Sequence, residues 1–134
     1  MRKLIDQVKN FIIKENVNND FIAFKGVSKD FKPHDGPMFF TSDEDGAKYY
    51  AERMSGYVIK ALIKFKNPLI VDAYKPAPIP IIHNGELIGN FSEKDINDKI
   101  KSAGFDGLII NKKFGNELDG WEILSFDNTT REFL

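Results

Sequence analysis

Tyr57-Val58-Ile59-Lys60-Ala61-Leu62-Ile63-Lys64-Phe65 is the stretch on which the fold turns. Ile59, Ala61, Ile63 and Phe65 fall on one side of an extended chain, while Lys60, Leu62, Lys64 and the following Lys66 fall on the other. Strand side chains alternate faces with a period of two, so the pattern predicts a half-buried antiparallel strand with a lysine-bearing solvent face. Asn67-Pro68 ends it, because proline offers no amide hydrogen to a ladder. The short apolar run Leu69-Ile70-Val71 follows.

Upstream, Ala47, Tyr50, Ala51 and Met54 share one face of a helix that Ser42 or Asp43 can cap and Gly56 can end. Two short strands precede it, Phe21-Ile22-Ala23-Phe24 stopping at Gly26 and Met38-Phe39-Phe40-Thr41 following a proline-bearing loop. Leu4, Ile5, Val8, Phe11 and Ile12 recur at helical spacing and predict an N-terminal helix within residues 1–19. Downstream, Pro76, Pro78 and Pro80 lead into a hairpin with an Asn84-Gly85 turn, read as a peripheral insertion over residues 76–90. Ser92 and Asp95 resemble a capping box for a helix that buries Ile96, Ile100 and Ala103 and stops at Gly104. Leu108-Ile109-Ile110 and Trp121-Glu122-Ile123-Leu124-Ser125-Phe126 read as the last strands, joined by a charged, Gly-containing loop over residues 111–120. Strands and helices do not alternate as a doubly wound sheet requires, so the expected class is α+β with a mixed or antiparallel sheet.

The chain of 134 residues is 42% hydrophobic and holds twelve Phe, enough for one core and one domain over residues 1–134. Nineteen Lys and Arg against twenty Asp and Glu give a net charge of -1, which supplies no general attraction for nucleic acid or anionic lipid. Lys60, Lys64 and Lys66 are the best local basic group, and their alternation marks a solvent face. The absence of Cys excludes disulfides, thiolate nucleophiles and zinc-thiolate sites. His34 and His83 lie far apart without a second ligand at metal spacing, so they read as exposed loop residues and no metal is expected. Neither a signal-peptide core nor a membrane-length apolar run is present, and the expected location is the cytosol, with no membrane partner.

Three features carry polar groups that local structure does not require. Lys25-Gly26 ends a strand with a cation followed by a residue that lets a ligand approach the backbone, or it is a plain turn. Phe39 and Tyr50 bring aromatic faces from a strand and a helix that can sandwich a flat ring or simply fill the core, with Thr41 and Ser42 between them. Glu122 is a carboxylate among Trp, Ile and Leu, where an unpaired buried charge is costly unless the strand has a wet face.

In this order the features resemble the ADP-ribosyltransferase superfamily, in particular its small phage-associated domains on the poly(ADP-ribose) polymerase and diphtheria-toxin side. The resemblance spans roughly residues 20–127. Phe24-Lys25-Gly26 matches an aromatic, then His or Arg, then Gly. Phe39-Phe40-Thr41 with Ala47 and Tyr50 matches a Tyr-Phe strand followed by a helix, and Glu122 matches the catalytic Glu of a late strand. The Asn67-Pro68-Leu69 break, Ala103-Gly104-Phe105-Asp106-Gly107-Leu108-Ile109 and the closing Phe126-Asp127 look like the same domains.

The resemblance implies an ADP-ribosyltransferase-like split β-sheet core with an N-terminal helix and two further helices. It implies a mono-ADP-ribosyltransferase that takes NAD as its substrate, without a metal, and modifies a host protein or nucleic acid. A phage-encoded effector or anti-defence protein working in the host cytosol is one such setting. Glu122 would hold a ribose hydroxyl and stabilise the positive charge that develops on the sugar. Gly26 would pair with the nicotinamide amide through its backbone, Phe39 and Tyr50 (or Tyr49) would stack on the ring, and Thr41 or Ser42 would support Glu122 or the ribose. Lys25 would reach the adenosine-side ribose or a phosphate, although it lacks the imidazole acceptor and the guanidinium fork of the residues it replaces. Phe39 lacks the family hydroxyl, and Gly120 occupies the place where arginine-modifying members carry a first Glu. These departures motivate an inactive member acting as a protein-binding inhibitor, and the lysines a ribonuclease-type toxin.

Overall fold

The structure is a computed structural model that describes residues 20–114 and 121–134. The helix expected within residues 1–19 and the end of the 111–120 loop lie outside the described residues. Among the described residues, nine strands and two helices run in the order β1 (Phe21–Val27), β2 (Met38–Thr41), α1 (Glu44–Arg53), β3 (Tyr57–Ile63), β4 (Pro68–Ala73), β5 (Pro80–His83), β6 (Glu86–Asn90), α2 (Ile96–Ser102), β7 (Gly107–Lys112), β8 (Trp121–Ser125) and β9 (Arg131–Phe133), with a 3₁₀ turn at Asn128–Thr130. The protein is thus a mixed α+β structure dominated by sheet. No helix among the described residues is long and apolar enough to cross a membrane.

Seven strands form one sheet in the order β4-β7-β8-β2-β1-β3-β9, and β5 with β6 makes a separate hairpin. Among the described residues only β4 and β7 pair in parallel; the other neighbours in this sheet are antiparallel. The sheet is continuous by pairing where a split was expected, but the join between β1 and β2 is a single pair, Phe24 with Thr41. The remainder of β1 is held from its other edge, where all seven of its residues pair with β3.

The central strands β7 and β8 are buried on both faces and divide the core. Leu108, Ile110 and Leu124 face a cluster with Leu69, Ile81 and Ile100, under α2 and the hairpin. Ile109, Trp121 and Ile123 face a second cluster with Ala23, Phe40 and Ile63. Ala61 and Ile63 of β3 are buried while Lys60 is exposed, as the alternation in that strand predicts. Lys60 pairs with Glu44 at 3.9 Å and Lys64 with Glu132 at 4.0 Å, on the solvent side.

Asp43 caps α1, accepting from the amides of Asp45 and Gly46 at 3.3 Å each. The left-handed residue that ends this helix is Ser55, with φ 52°, and not Gly56 as expected. Gly56 is small for another reason, because a Cβ there would collide with the Val27 carbonyl. The Ser92–Asp95 capping box does not form. Asp95 occupies the N-cap of α2 without a side-chain bond, while Glu93 Oε1 accepts from Asn90 N at 3.0 Å one turn earlier. Asn84 and Gly85 both have positive φ, 51° and 80°, the geometry of the tight hairpin turn read from their sequence. At the Asn67-Pro68 break, the Asp106 carboxylate accepts from Lys66 N at 2.7 Å and Asn67 N at 2.9 Å, which fixes the start of β4 beside β7.

β9 was not anticipated. Arg131 is 3% exposed, and its guanidinium donates to Ser125 O at 3.0 Å, His34 O at 2.9 Å and Asn128 Oδ1 at 3.1 Å. These bonds satisfy a charge that would otherwise be costly in the interior and fasten the 3₁₀ turn and the loop before β2 to the end of β8. Burial lowers the Arg131 pKa, and the charges of Asp35 and Asp127 oppose that shift.

Candidate functional site

The register places Phe24, Thr41, Glu122 and Ile110 in one row across β1, β2, β8 and β7. Residues in register on neighbouring strands share a face, so the Glu122 carboxylate projects on the side that carries α1 rather than into the second core cluster. Beyond the Phe24–Thr41 pair the two strands diverge. Lys25 Nζ spans the gap and donates to the Phe39 carbonyl at 3.1 Å, a side-chain tie where the ladder is not made.

A cleft of about 540 Å³ opens at this divergence, within the size range of small-molecule sites. Its lining includes Lys25 and Gly26 of β1, Phe39 and Thr41 of β2, Tyr50 of α1 and Glu122 of β8. Six of the seven residues singled out in the sequence therefore meet at one place. Ser42 does not. It is buried, its Oγ accepts from Trp121 N at 2.8 Å and its own amide donates to Trp121 O at 3.1 Å. Ser42 thereby clamps β2 to β8 directly beside Glu122. Of the two adjacent tyrosines, Tyr50 lines the cleft, and Tyr49 packs edge-on against it with Arg53 over its ring.

Each wall has a local cause. A Cβ at Gly26 would stand 2.6 Å from Ala51 N and would overlap Ala47 O, so glycine is what allows α1 to lie against β1. That close seating brings Tyr50 over the cleft while leaving it 55% exposed. Phe39 is 38% exposed and meets Phe91, just after β6, edge-on at 5.7 Å, so the hairpin region backs one aromatic wall. Thr41 Oγ1 accepts from Asp43 N at 3.2 Å, which fixes the hydroxyl at the start of α1.

Sequence reasoning missed Lys112. Its Nζ lies 3.6 Å from Glu122 Oε2, with side-chain exposures of 21% and 29%, and it too lines the cleft. The signal is present in the sequence: Lys112 stands two residues beyond Ile110 and so shares its face, past the apolar run Leu108-Ile109-Ile110 that marks the strand. Burial pushes the Lys25 pKa below its ordinary value, the Arg131 charge adds to this, and the Glu122 carboxylate opposes it. Glu122 is thus a partly exposed carboxylate with the Lys112 ammonium 3.6 Å away.

His34 and His83 are both exposed and stand apart from the cleft. Chemically, the described lining offers a carboxylate, two cations, the hydroxyls of Ser28, Thr41 and Tyr50, a glycine backbone and two accessible aromatic faces. No protein-family model, curated protein or solved structure matches this chain.

Proposed function

We propose that the protein is a mono-ADP-ribosyltransferase with an ADP-ribosyltransferase-like core, which breaks the bond between nicotinamide and ribose in NAD and passes ADP-ribose to a macromolecule. One observation carries this reading: Lys25, Gly26, Phe39, Thr41, Tyr50 and Glu122, chosen for their order in the sequence, line a single cleft. Residues from four separate elements have no reason to converge on a cavity if each is only a turn, a core aromatic or a wet strand position.

The lining suits the chemistry. Phe39 and Tyr50 present accessible ring faces for a flat nicotinamide, and the Gly26 backbone beside them supplies polar atoms for its amide. Loss of nicotinamide leaves positive charge on the ribose, and Glu122 is positioned to stabilise it while accepting a hydrogen bond from a ribose hydroxyl. Lys112 restrains the Glu122 carboxylate from the β7 side. Lys25 serves a phosphate or the adenosine-side ribose once it exchanges the Phe39 carbonyl for the ligand.

The same Lys25 bond favours a second reading, an inactive domain that uses the fold to bind and inhibit a protein. Here the cation is a permanent strut between β1 and β2. Calorimetric titration with nicotinamide and with NAD separates the two. Saturable heat for both ligands, weakened by Tyr50→Ala, is the expected result, and the absence of heat for either would overturn the transferase reading.

A further inference from the structure

Lys112 places an ammonium beside Glu122 that the breaking of the nicotinamide bond does not itself require. The pair is 3.6 Å apart and both side chains remain partly exposed, so a second molecule entering the cleft can reach them. Together with Lys25, the described lining carries two cations against one carboxylate, in a chain of net charge -1. The cleft is locally positive where the protein as a whole is not.

We infer that Lys112 builds an acceptor subsite for an anion, and that the group receiving ADP-ribose is the carboxylate of an Asp or Glu side chain on a partner protein. The inference rests on the NAD reading above and narrows it to an acceptor class. An incoming carboxylate must approach the ribose past Glu122, whose like charge repels it. A cation within a few ångströms of Glu122 offsets that repulsion, and Lys112 is so placed.

The step balances without a base. A carboxylate oxygen of the acceptor donates an electron pair to C1′ of the ribose as the C1′–N bond breaks. The pair from that bond leaves on the nicotinamide ring nitrogen and cancels its positive charge. A C1′–O ester forms and no proton moves. A hydroxyl or guanidinium acceptor must instead lose a proton, and Glu122 is the one carboxylate among the described lining residues, already facing Lys112 and the ribose.

A protein is favoured over nucleic acid because two of the three lysines on and just after β3 have an acidic neighbour, Lys60 with Glu44 and Lys64 with Glu132, which interrupts the basic stripe that would track a phosphate backbone.

The test uses the full chain with NAD labelled in its adenylate phosphate and a bacterial lysate, reading both nicotinamide release and label on protein. Neutral hydroxylamine cleaves a carboxylate ester within minutes and a guanidine link only over hours, and it leaves glycosidic links to hydroxyls or nucleic-acid bases in place. The expected result is protein-bound label that hydroxylamine removes within minutes. In Lys112→Gln the ratio of transfer to nicotinamide release should fall about tenfold, the scale of one charge-assisted contact. Lys112→Arg should restore most of it, which also shows that loss of the pair has not unfolded the domain. Label that hydroxylamine leaves in place or releases only over hours, label on nucleic acid, or nicotinamide release with water as the sole acceptor would each overturn the carboxylate assignment and leave the NAD reading standing. Absence of nicotinamide release would overturn both.

Discussion

Replacing Gly26 by Ala tests the geometry on which the cleft depends. The new Cβ would lie 2.6 Å from Ala51 N and 3.2 Å from Ala51 Cα, and it would overlap Ala47 O. All three are backbone atoms of α1, so no rotamer change relieves the clash and the helix itself must retreat. Overpacking of this kind costs about 1–3 kcal/mol, and a rigid backbone neighbour puts Gly26→Ala near 2.5 kcal/mol. An unfolding entropy of about 2.1 cal/mol/K per residue over 134 residues gives roughly 280 cal/mol/K, so the melting temperature should fall by about 9 °C. Gly85→Ala is the control. Gly85 has φ 80° with nothing within 4 Å of its Cβ position, so only left-handed strain is added, about 1 kcal/mol and near 4 °C. Thermal melts and urea titrations followed by circular dichroism measure both. A Gly26→Ala melting temperature within 2 °C or so of wild type, or a smaller loss than Gly85→Ala, would refute the seating of α1 on β1 and with it the position of Tyr50.

Arg131→Met should destabilise by about 3 kcal/mol, because the buried carbonyl of Ser125 and the part-buried carbonyl of His34 lose their donors; urea unfolding measures it. Asp106→Ala should cost about 1–2 kcal/mol by freeing the Lys66 and Asn67 amides, and hydrogen exchange should quicken at those two amides first. The Asp127 pKa is held below its ordinary 3.8 chiefly by the hydroxyl of Thr129. Its contribution to stability is therefore complete above 3.8 and lost as pH falls through the folded value, and Asp127→Asn should flatten the acid limb of a stability–pH curve. Lys25 is depressed below 10.5 by burial, so the unfolded chain binds its proton more tightly and stability should rise as pH climbs from the folded value towards 10.5. A Lys25→Met variant whose alkaline limb matches wild type would contradict that burial.

The sequence made the local elements legible where one physical rule dominated. Alternation marked β3, Asn84-Gly85 marked the hairpin, and Asp43 with the Ala47–Ala51 stripe marked α1. What stayed hidden was set by distant partners. The parallel pairing of β4 with β7 joins segments almost forty residues apart and is fixed by the Asp106 carboxylate reaching the Asn67 turn. β9 was concealed because Asn128-Thr129-Thr130-Arg131 reads as polar surface, whereas carbonyls from the end of β8 and from the loop before β2 allow Arg131 to be buried.

The candidate site was legible through residue order, since neither alternation nor composition distinguishes Glu122 from a solvent-facing strand residue. Its face is decided by register with Thr41 and Phe24, which requires knowing which strands are neighbours. Lys112 is hidden because the apolar run of β7 stops at Ile110, while the period of two continues to the cation. Ser42 had the right neighbourhood and a different task, anchoring Trp121.

Release of nicotinamide from NAD by the wild-type protein and by Glu122→Gln is the most direct measurement of the central claim. The account predicts turnover by the wild type and a loss of about 10²–10³-fold in the variant, the scale for removing one group that stabilises transition-state charge, with an unchanged melting profile. Equal rates from the two proteins, or no release from the wild type, would contradict it.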